Sequence, residues 1–191
     1  GKMQSADISK LNQIIESRSG KELVIGGEYI AFMGIIIIAT NAFNTYVFSD
    51  WLIWLIGMII GWSGIMGYDY LKEKKEGKYS TRVQNEIFSI WIAVGGVAVP
   101  FVLVIFPGYF QLYDGKAIRP LIYMVLGLGI WLTGVVAKSS EFRFGALACV
   151  AGIFLSIYLN SEIQQMVIFH IVMIAGMIVP GIVSKYNEKR G

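Results

Sequence analysis

The sequence predicts an all-α membrane protein, a polytopic bundle of six transmembrane helices preceded by an amphipathic helix. Of the 191 residues, 55% are hydrophobic and only 15% are charged, whereas a soluble domain has about 25% charged residues. The mean hydropathy is +0.62, and the apolar residues form continuous runs without the alternation that is typical of strands. A water-soluble protein of this size could not bury so much apolar surface, so lipid is the expected solvent.

Six apolar runs are long enough to cross a membrane: residues 29–48, 51–68, 87–106, 120–137, 144–159 and 165–184. A helix needs about 20 mostly apolar residues to cross a hydrocarbon core of roughly 30 Å. All 16 Lys and Arg and all 13 Asp and Glu residues lie outside these runs. The chain therefore divides into an N-terminal segment (1–28), a membrane domain (29–184) and a basic tail (185–191).

The basic residues are concentrated on one side of the six runs. Fourteen of them precede the first run, follow the last, or lie between the second and third and between the fourth and fifth. Only Lys116 and Arg119 lie on the other side. Because basic loops stay in the cytoplasm, we expect a cell inner membrane as the location, with the N- and C-termini both cytoplasmic.

Residues 5–19 have the pattern of an amphipathic helix outside the membrane domain. The apolar residues Ile8, Leu11, Ile14 and Ile15 recur at helical spacing, and polar residues fill most of the remaining positions. Such a helix can lie on the inner leaflet, or it can dock on a partner or a second protomer. The sequence leaves both interpretations open.

Two short stretches resemble each other: VGGVAVP at 94–100 and IAGMIVP at 174–180. Gly96 matches Gly176, and Pro100 matches Pro180. Each stretch lies in the last run of a group of three, so a true duplication would produce two inverted three-helix halves, a common plan among transporters. Since Gly and Pro are frequent in membrane helices, chance is the alternative explanation.

The second run has a face of small residues. Gly57, Gly61 and Gly64 recur at helical spacing, and such a face lets a neighbouring backbone approach closely. Together with Gly96, Pro100, Gly176 and Pro180, these residues are the predicted helix-packing positions. The face can pack within the chain or form the interface of a homo-oligomer.

Polar side chains near the outer ends of the runs form the candidate ligand-binding cluster. Its members are Asn41, Asn44, Tyr123, Ser156 and His170. Uncharged polar groups in hydrocarbon need partners, so they face the bundle or a wet cavity. The cluster is therefore either a network of hydrogen bonds between helices or a pocket for a small polar or amphipathic ligand.

Other features narrow the chemistry. Cys149 and His170 are the single cysteine and histidine, so the sequence predicts no metal site, no cofactor and no disulfide within the chain. The small net charge of +3 does not favour nucleic-acid binding. Charged residues flank the runs, and they form either a cytoplasmic ionic ring or a solvated face: Glu28, Asp69, Arg82, Glu86, Glu141 and Arg143.

Two classes of function remain after these exclusions. The first is a non-enzymatic membrane protein, either a small oligomeric channel or carrier or an accessory subunit. The second is a membrane-embedded enzyme that acts on a lipid or lipophilic substrate and uses His170 with acids at the membrane boundary. Because no catalytic signature is recognisable, the first class is the prediction and the second the alternative.

Much of the second half resembles one family of proteins. The stretches PLIYMVLGLGIWLTG at 120–134, FRFG at 142–145 and VPG at 179–181, with a Lys-rich stretch ending in Thr81 and followed by Trp91, are similar to a family of small bacterial six-span membrane proteins. The resemblance implies the same topology and a bacterial inner membrane. It brings no activity and no catalytic residues.

Overall fold

The computed structural model describes residues 25–47, 51–76, 82–101 and 117–188, and these residues are almost entirely helical, with no strand among them. The α-helices are α1 (Ile25–Tyr46), α2 (Trp51–Glu76), α3 (Arg82–Trp91), α4 (Ile118–Val136), α5 (Ser140–Tyr158), α6 (Glu162–Met173) and α7 (Val179–Glu188). The predicted all-α class is confirmed. The predicted amphipathic helix at 5–19 lies outside the described residues.

Five helical segments in the described ranges are long and apolar enough to cross a membrane. They are Gly27–Tyr46, Leu52–Lys72, Ile118–Val136, Ser140–Tyr158 and Glu162–Asn187. The prediction of an integral membrane protein is thus supported by length and composition. The remaining run, 87–106, is described as far as residue 101, so its crossing stays a prediction.

Two π-helical segments interrupt the helices, and each lies in one of the two similar stretches. The first is Ile92–Ala98, directly after α3, and the second is Ile174–Ile178, between α6 and α7. In each, a valine N–H donates to the carbonyl five residues earlier: Val99 to Val94, and Val179 to Ile174. A proline follows each valine, lacks an N–H and would clash with the carbonyl four residues before it. The wider π turn accommodates that ring.

The helices pack in an order that differs from their order in the sequence. The last helix, formed by α6, the second π segment and α7, lies between α1 and α5, and α1 also contacts α2. The α4–α5 hairpin carries α3 on the other side of α4. Trp62 of α2 lies edge-on to the Phe88 ring of α3 at 6.1 Å. The second helix therefore reaches the third as well as the first.

The core lies where α4, α5 and the last helix meet. Its largest fully buried side chains include Tyr123, Phe142, Phe169, Met173 and Met177. Large apolar side chains are also exposed along every spanning helix. That distribution fits a lipid environment, because lipid tails solvate apolar side chains and helices associate through close packing.

Candidate functional site

The first and last helices run antiparallel, and this arrangement pairs their residues. Near one end Gly27 lies against Gly181, and near the middle Gly34 faces Met177. We call the end where α1 begins and α2 and α7 end the proximal end. The distal end is where α1 ends and α4 and α6 begin.

An amide and an imidazole meet in the distal half of this helix pair. Asn41 Nδ2 lies 3.4 Å from His170 Nε2, which is a long hydrogen bond in which the amide donates and the imidazole accepts. Asn41 is only 5% exposed, whereas His170 is half-buried. The structure therefore brings together two residues of the predicted cluster, from helices that are far apart in the sequence.

The polar stripe on α1 extends beyond Asn41. The Thr45 hydroxyl donates to the Asn41 carbonyl at 2.8 Å, so this hydroxyl is satisfied within its own helix. Thr40 is buried and lies against Gly57 of α2. Asn44, one turn beyond Asn41, is half-buried. This part of α1 thus carries buried or half-buried polar side chains at Thr40, Asn41 and Asn44, whereas Thr45 is exposed.

Three aromatic rings pack beside the amide–imidazole pair. Phe169 precedes His170, and its ring centroid lies 6.4 Å from that of Trp54 and 5.8 Å from that of Tyr123. Tyr123 and Phe169 are fully buried. Tyr123 is therefore joined to the predicted cluster through Phe169, and its hydroxyl has no hydrogen-bond partner among the described residues.

Ser156 does not join Asn41 and His170. Its hydroxyl donates to the Ile153 carbonyl at 2.8 Å, within α5. A hydroxyl that bonds to its own helix needs no partner from a neighbour. The role of Ser156 in the ligand-binding cluster therefore stays a prediction, since the described contact of its hydroxyl lies within α5.

The glycine face of α2 packs against α1 within the chain. A Cβ added at Gly61 would lie 2.7 Å from Met33 Sδ, and one at Gly64 would lie 3.0 Å from the Phe32 ring. Gly57 faces Thr40 on the same side. This placement favours intrachain packing over the oligomer interface that the sequence left open.

Gly176 and Pro180 of the last helix lie against α5. A Cβ added at Gly145 would lie 2.6 Å from the Gly176 carbonyl oxygen and 2.8 Å from Pro180 Cγ. Pro180 has no N–H to donate to the Gly176 carbonyl, which belongs to the π segment. The two helices thus cross almost backbone to backbone at this glycine pair.

Gly96 makes no close contact with another helix in the described part of the chain, so its predicted packing role stays a prediction. Gly96 is exposed, and an added Cβ would meet only Ile92 of its own helix, at 3.8 Å. The preceding residue, Gly95, makes the close approach, because an added Cβ there would lie 2.9 Å from the Trp62 ring. Pro100 is half-buried two residues after the first π segment, and no described contact gives it a packing role.

Charged and polar residues link three helices at the proximal end. Glu28 of α1 forms ion pairs with Lys72 of α2, at 3.2 Å, and with Lys185 of α7. Tyr29 donates to Asp69 of α2 at 2.8 Å. The described ion pairs of Glu28 are with these two lysines, which the ionic ring proposed from sequence did not include.

The beginning of α5 belongs to the same proximal layer. Glu141 accepts hydrogen bonds from Ser139, at 2.7 Å, and from Asn187 of α7, at 3.0 Å. Arg143 donates to the Ser139 carbonyl at 3.4 Å. The boundary acids are therefore engaged in contacts that hold helix ends together, about 20 Å along α1 from the amide–imidazole pair.

Neither similarity to known proteins nor a group of metal ligands assigns a function to this site. The chain matches no protein-family model, no curated protein and no solved structure. The resemblance to small six-span bacterial proteins therefore stays a prediction. In the described ranges, no three His, Cys, Asp or Glu residues are grouped as metal ligands.

Sequence reasoning did not include three polar residues of the distal end in the candidate site. Arg119 of α4 forms a 2.9 Å ion pair with Glu162 at the beginning of α6. Gln165 Nε2 donates to the Ser156 and Leu159 carbonyls at the end of α5, at 2.7 and 2.5 Å. The opposite charges of Arg119 and Glu162 were the available signal, since both flank apolar runs on the same predicted side.

Proposed function

We propose that this chain is a non-enzymatic integral membrane protein, a small channel, carrier or accessory subunit. In this proposal, a distal polar site built on Asn41, Asn44 and His170 holds a small polar or amphipathic ligand. The observation that carries the proposal is the contact between Asn41 and His170 inside an otherwise apolar bundle. Polar groups inside a membrane are costly, and they commonly mark ligand or ion pathways.

The alternative, a membrane-embedded enzyme, needs an acid or a nucleophile beside His170. The described contact of its Nε2 is with an amide, which neither donates nor accepts protons as an acid–base partner does. Glu28 and Glu141 are engaged at the opposite end of the bundle. This separation favours the non-enzymatic class.

Native mass spectrometry of the protein released from its own lipid tests the ligand site. We expect the wild type to retain a small adduct whose mass does not change on incubation, and Asn41→Leu to lose it. Asn160→Leu is the matched control, since Asn160 is exposed between α5 and α6. Loss of the adduct from both variants, or a wild type without any adduct, would contradict the proposal, and conversion of the adduct would support the enzyme.

We further propose six spans with both termini cytoplasmic. The Glu28 contacts with Lys72 and Lys185 support an even number of crossings, because they bring the beginning of the first helix and the end of the last to the same end. The described helices supply five. Residues 82–117 connect the proximal end of α2 to the distal end of α4. A sixth crossing within this segment makes the number of crossings even.

Cysteine labelling tests this orientation, in which the distal end faces outward. Cys149 is the single cysteine and is buried, so Cys149→Ser provides a background without reactive thiols. In it, Asn160→Cys is expected to react with a membrane-impermeant maleimide added to intact cells, and Lys138→Cys only after lysis. The reverse pattern would invert the topology. Labelling of both from outside would contradict the helix count.

The two π segments support the proposal of inverted three-helix halves. Both lie in the similar stretches 94–100 and 174–180, and each directly precedes the Val-Pro pair of its stretch. Corresponding interruptions in two halves are typical of inverted-repeat transporters. The different surroundings of Gly96 and Gly176 show that the two stretches pack differently.

A further inference from the structure

Two buried polar atoms at the distal end have no hydrogen-bond partner among the described residues. They are the Tyr123 hydroxyl and Gln165 Oε1. Tyr123 is fully buried, and Gln165 uses its amide nitrogen to bind the end of α5. Leaving a buried polar group unsatisfied costs about 1–3 kcal/mol, so each of these atoms needs an explanation.

The helix register puts Tyr123 and Gln165 at a similar depth on α4 and α6, and we call this depth the distal layer. On α4, Arg119 lies one turn before Tyr123, and on α6, Glu162 lies one turn before Gln165. The Arg119–Glu162 ion pair forms the distal boundary of this layer. Helical side chains lean toward the beginning of their helix, so Tyr123 and Gln165 both lean toward that ion pair.

Phe169 forms the other boundary of the layer. It lies one turn after Gln165 on α6, and its ring packs against that of Tyr123 at 5.8 Å. Gly152 of α5 closes the side, because an added Cβ there would lie 3.3 Å from the Tyr123 ring. The Phe169 ring and Gly152 thus border the Tyr123 ring, and the ion pair lies one turn distal to it.

A single group that both accepts and donates a hydrogen bond would pair with both atoms. The phenol O–H is a donor, and the amide Oε1 is an acceptor only. We propose that a single hydroxyl group binds here, accepting from Tyr123 and donating to Gln165. Its source is either the headgroup of a membrane alcohol or a bound water. A cation or an anion does not suit the layer, because its two unpaired groups are neutral and its charged neighbours already pair with each other.

This inference deepens the proposed function and rests on it, since it names a ligand class at the distal end. It uses different atoms, however. The amide–imidazole pair lies beside Phe169 on α1 and α6, whereas the hydroxyl site lies between α4 and α6. Loss of the hydroxyl site would therefore leave the effect of Asn41→Leu on the retained adduct unchanged.

Thermal unfolding of the full chain in detergent tests for a membrane alcohol, with 1-dodecanol as the probe. At ten times its dissociation constant the probe is expected to raise the Tm of the wild type by ~3–5 °C. Its methyl ether, which accepts but does not donate, should have no effect.

Tyr123→Phe should lose the response while folding normally, because the buried ring is kept. Tyr158→Phe is the control, since Tyr158 is exposed at the same end.

X-ray hydroxyl-radical labelling tests for water. A fully buried tyrosine is oxidised only where water lies beside it, so labelling of Tyr123 at a rate comparable to that of Tyr158 indicates a bound water. A Tm response that requires the Tyr123 hydroxyl assigns the site to a membrane alcohol, and labelling without that response assigns it to water. The proposal is overturned if neither is seen, or if Tyr123→Phe responds as the wild type does.

Discussion

Gly145→Ala is expected to lower the free energy of unfolding by about 3 kcal/mol, the upper end of the range for overpacking. The added methyl group would lie 2.6 Å from the Gly176 carbonyl oxygen and 2.8 Å from the Pro180 ring. Neither group can rotate away, because one is backbone and the other is a ring fixed to it. The α5 helix and the last helix would have to separate along their crossing, with loss of the close contact that stabilises membrane helices.

The matched control for this substitution is Gly67→Ala in α2. An alanine Cβ at Gly67 would meet no described atom within 4 Å, and alanine is favoured over glycine in a helix by up to about 1 kcal/mol. We expect this variant to be as stable as the wild type or slightly more stable. The measurement is a denaturant titration in detergent followed by tryptophan fluorescence. Equal midpoints for Gly145→Ala and the wild type would show that the two helices do not cross closely.

The five membrane-length helices that the structure describes were predictable, because hydrocarbon imposes a length and a composition on any crossing helix. The ends of the helices were less predictable. The second run was expected to end at residue 68, but α2 continues to Glu76. Lys72, which lies in this additional part of α2, forms an ion pair with Glu28. A hydropathy pattern indicates where the hydrocarbon region ends, but a helix can continue beyond that boundary.

The contact between Asn41 and His170 was predictable from their similar depth, because polar groups in lipid need hydrogen-bond partners at the same level. Depth alone does not reveal that the Ser156 hydroxyl donates to the Ile153 carbonyl of its own helix. The contacts of a side chain depend on its depth along the helix and also on the direction in which it points. Short hydroxyl side chains can bond to their own helix backbone, so depth alone overestimates their contacts.

The closest helix crossings were only partly predictable. The small residues of α2 were recognised from their spacing, whereas Gly27 and Gly181, which lie against each other, have no such spacing. Their proximity depends on α1 and α7 being neighbours, which the chain order does not reveal. Gly96 was predicted to pack because it matches Gly176 in the similar stretches, whereas the close approach to Trp62 is made by Gly95.

His170→Phe is expected to destabilise the bundle by about 2 kcal/mol, because it leaves the Asn41 amide buried without its acceptor. Asn41→Leu should cost less, since its partner His170 is only half-buried. The predicted asymmetry follows from the 5% exposure of Asn41. Both free energies of unfolding can be measured by the same detergent titration.

The double variant then measures the contact itself. Removing both partners should cost less than the sum of the single substitutions, by about 0.6–1.7 kcal/mol, as for other hydrogen bonds between membrane helices. Ser156→Ala combined with His170→Phe provides the control cycle and should be additive, because the Ser156 hydroxyl bonds to its own helix. An additive result for Asn41 and His170 would mean that the two side chains do not interact, and the proposed ligand site would then lose the contact on which it depends.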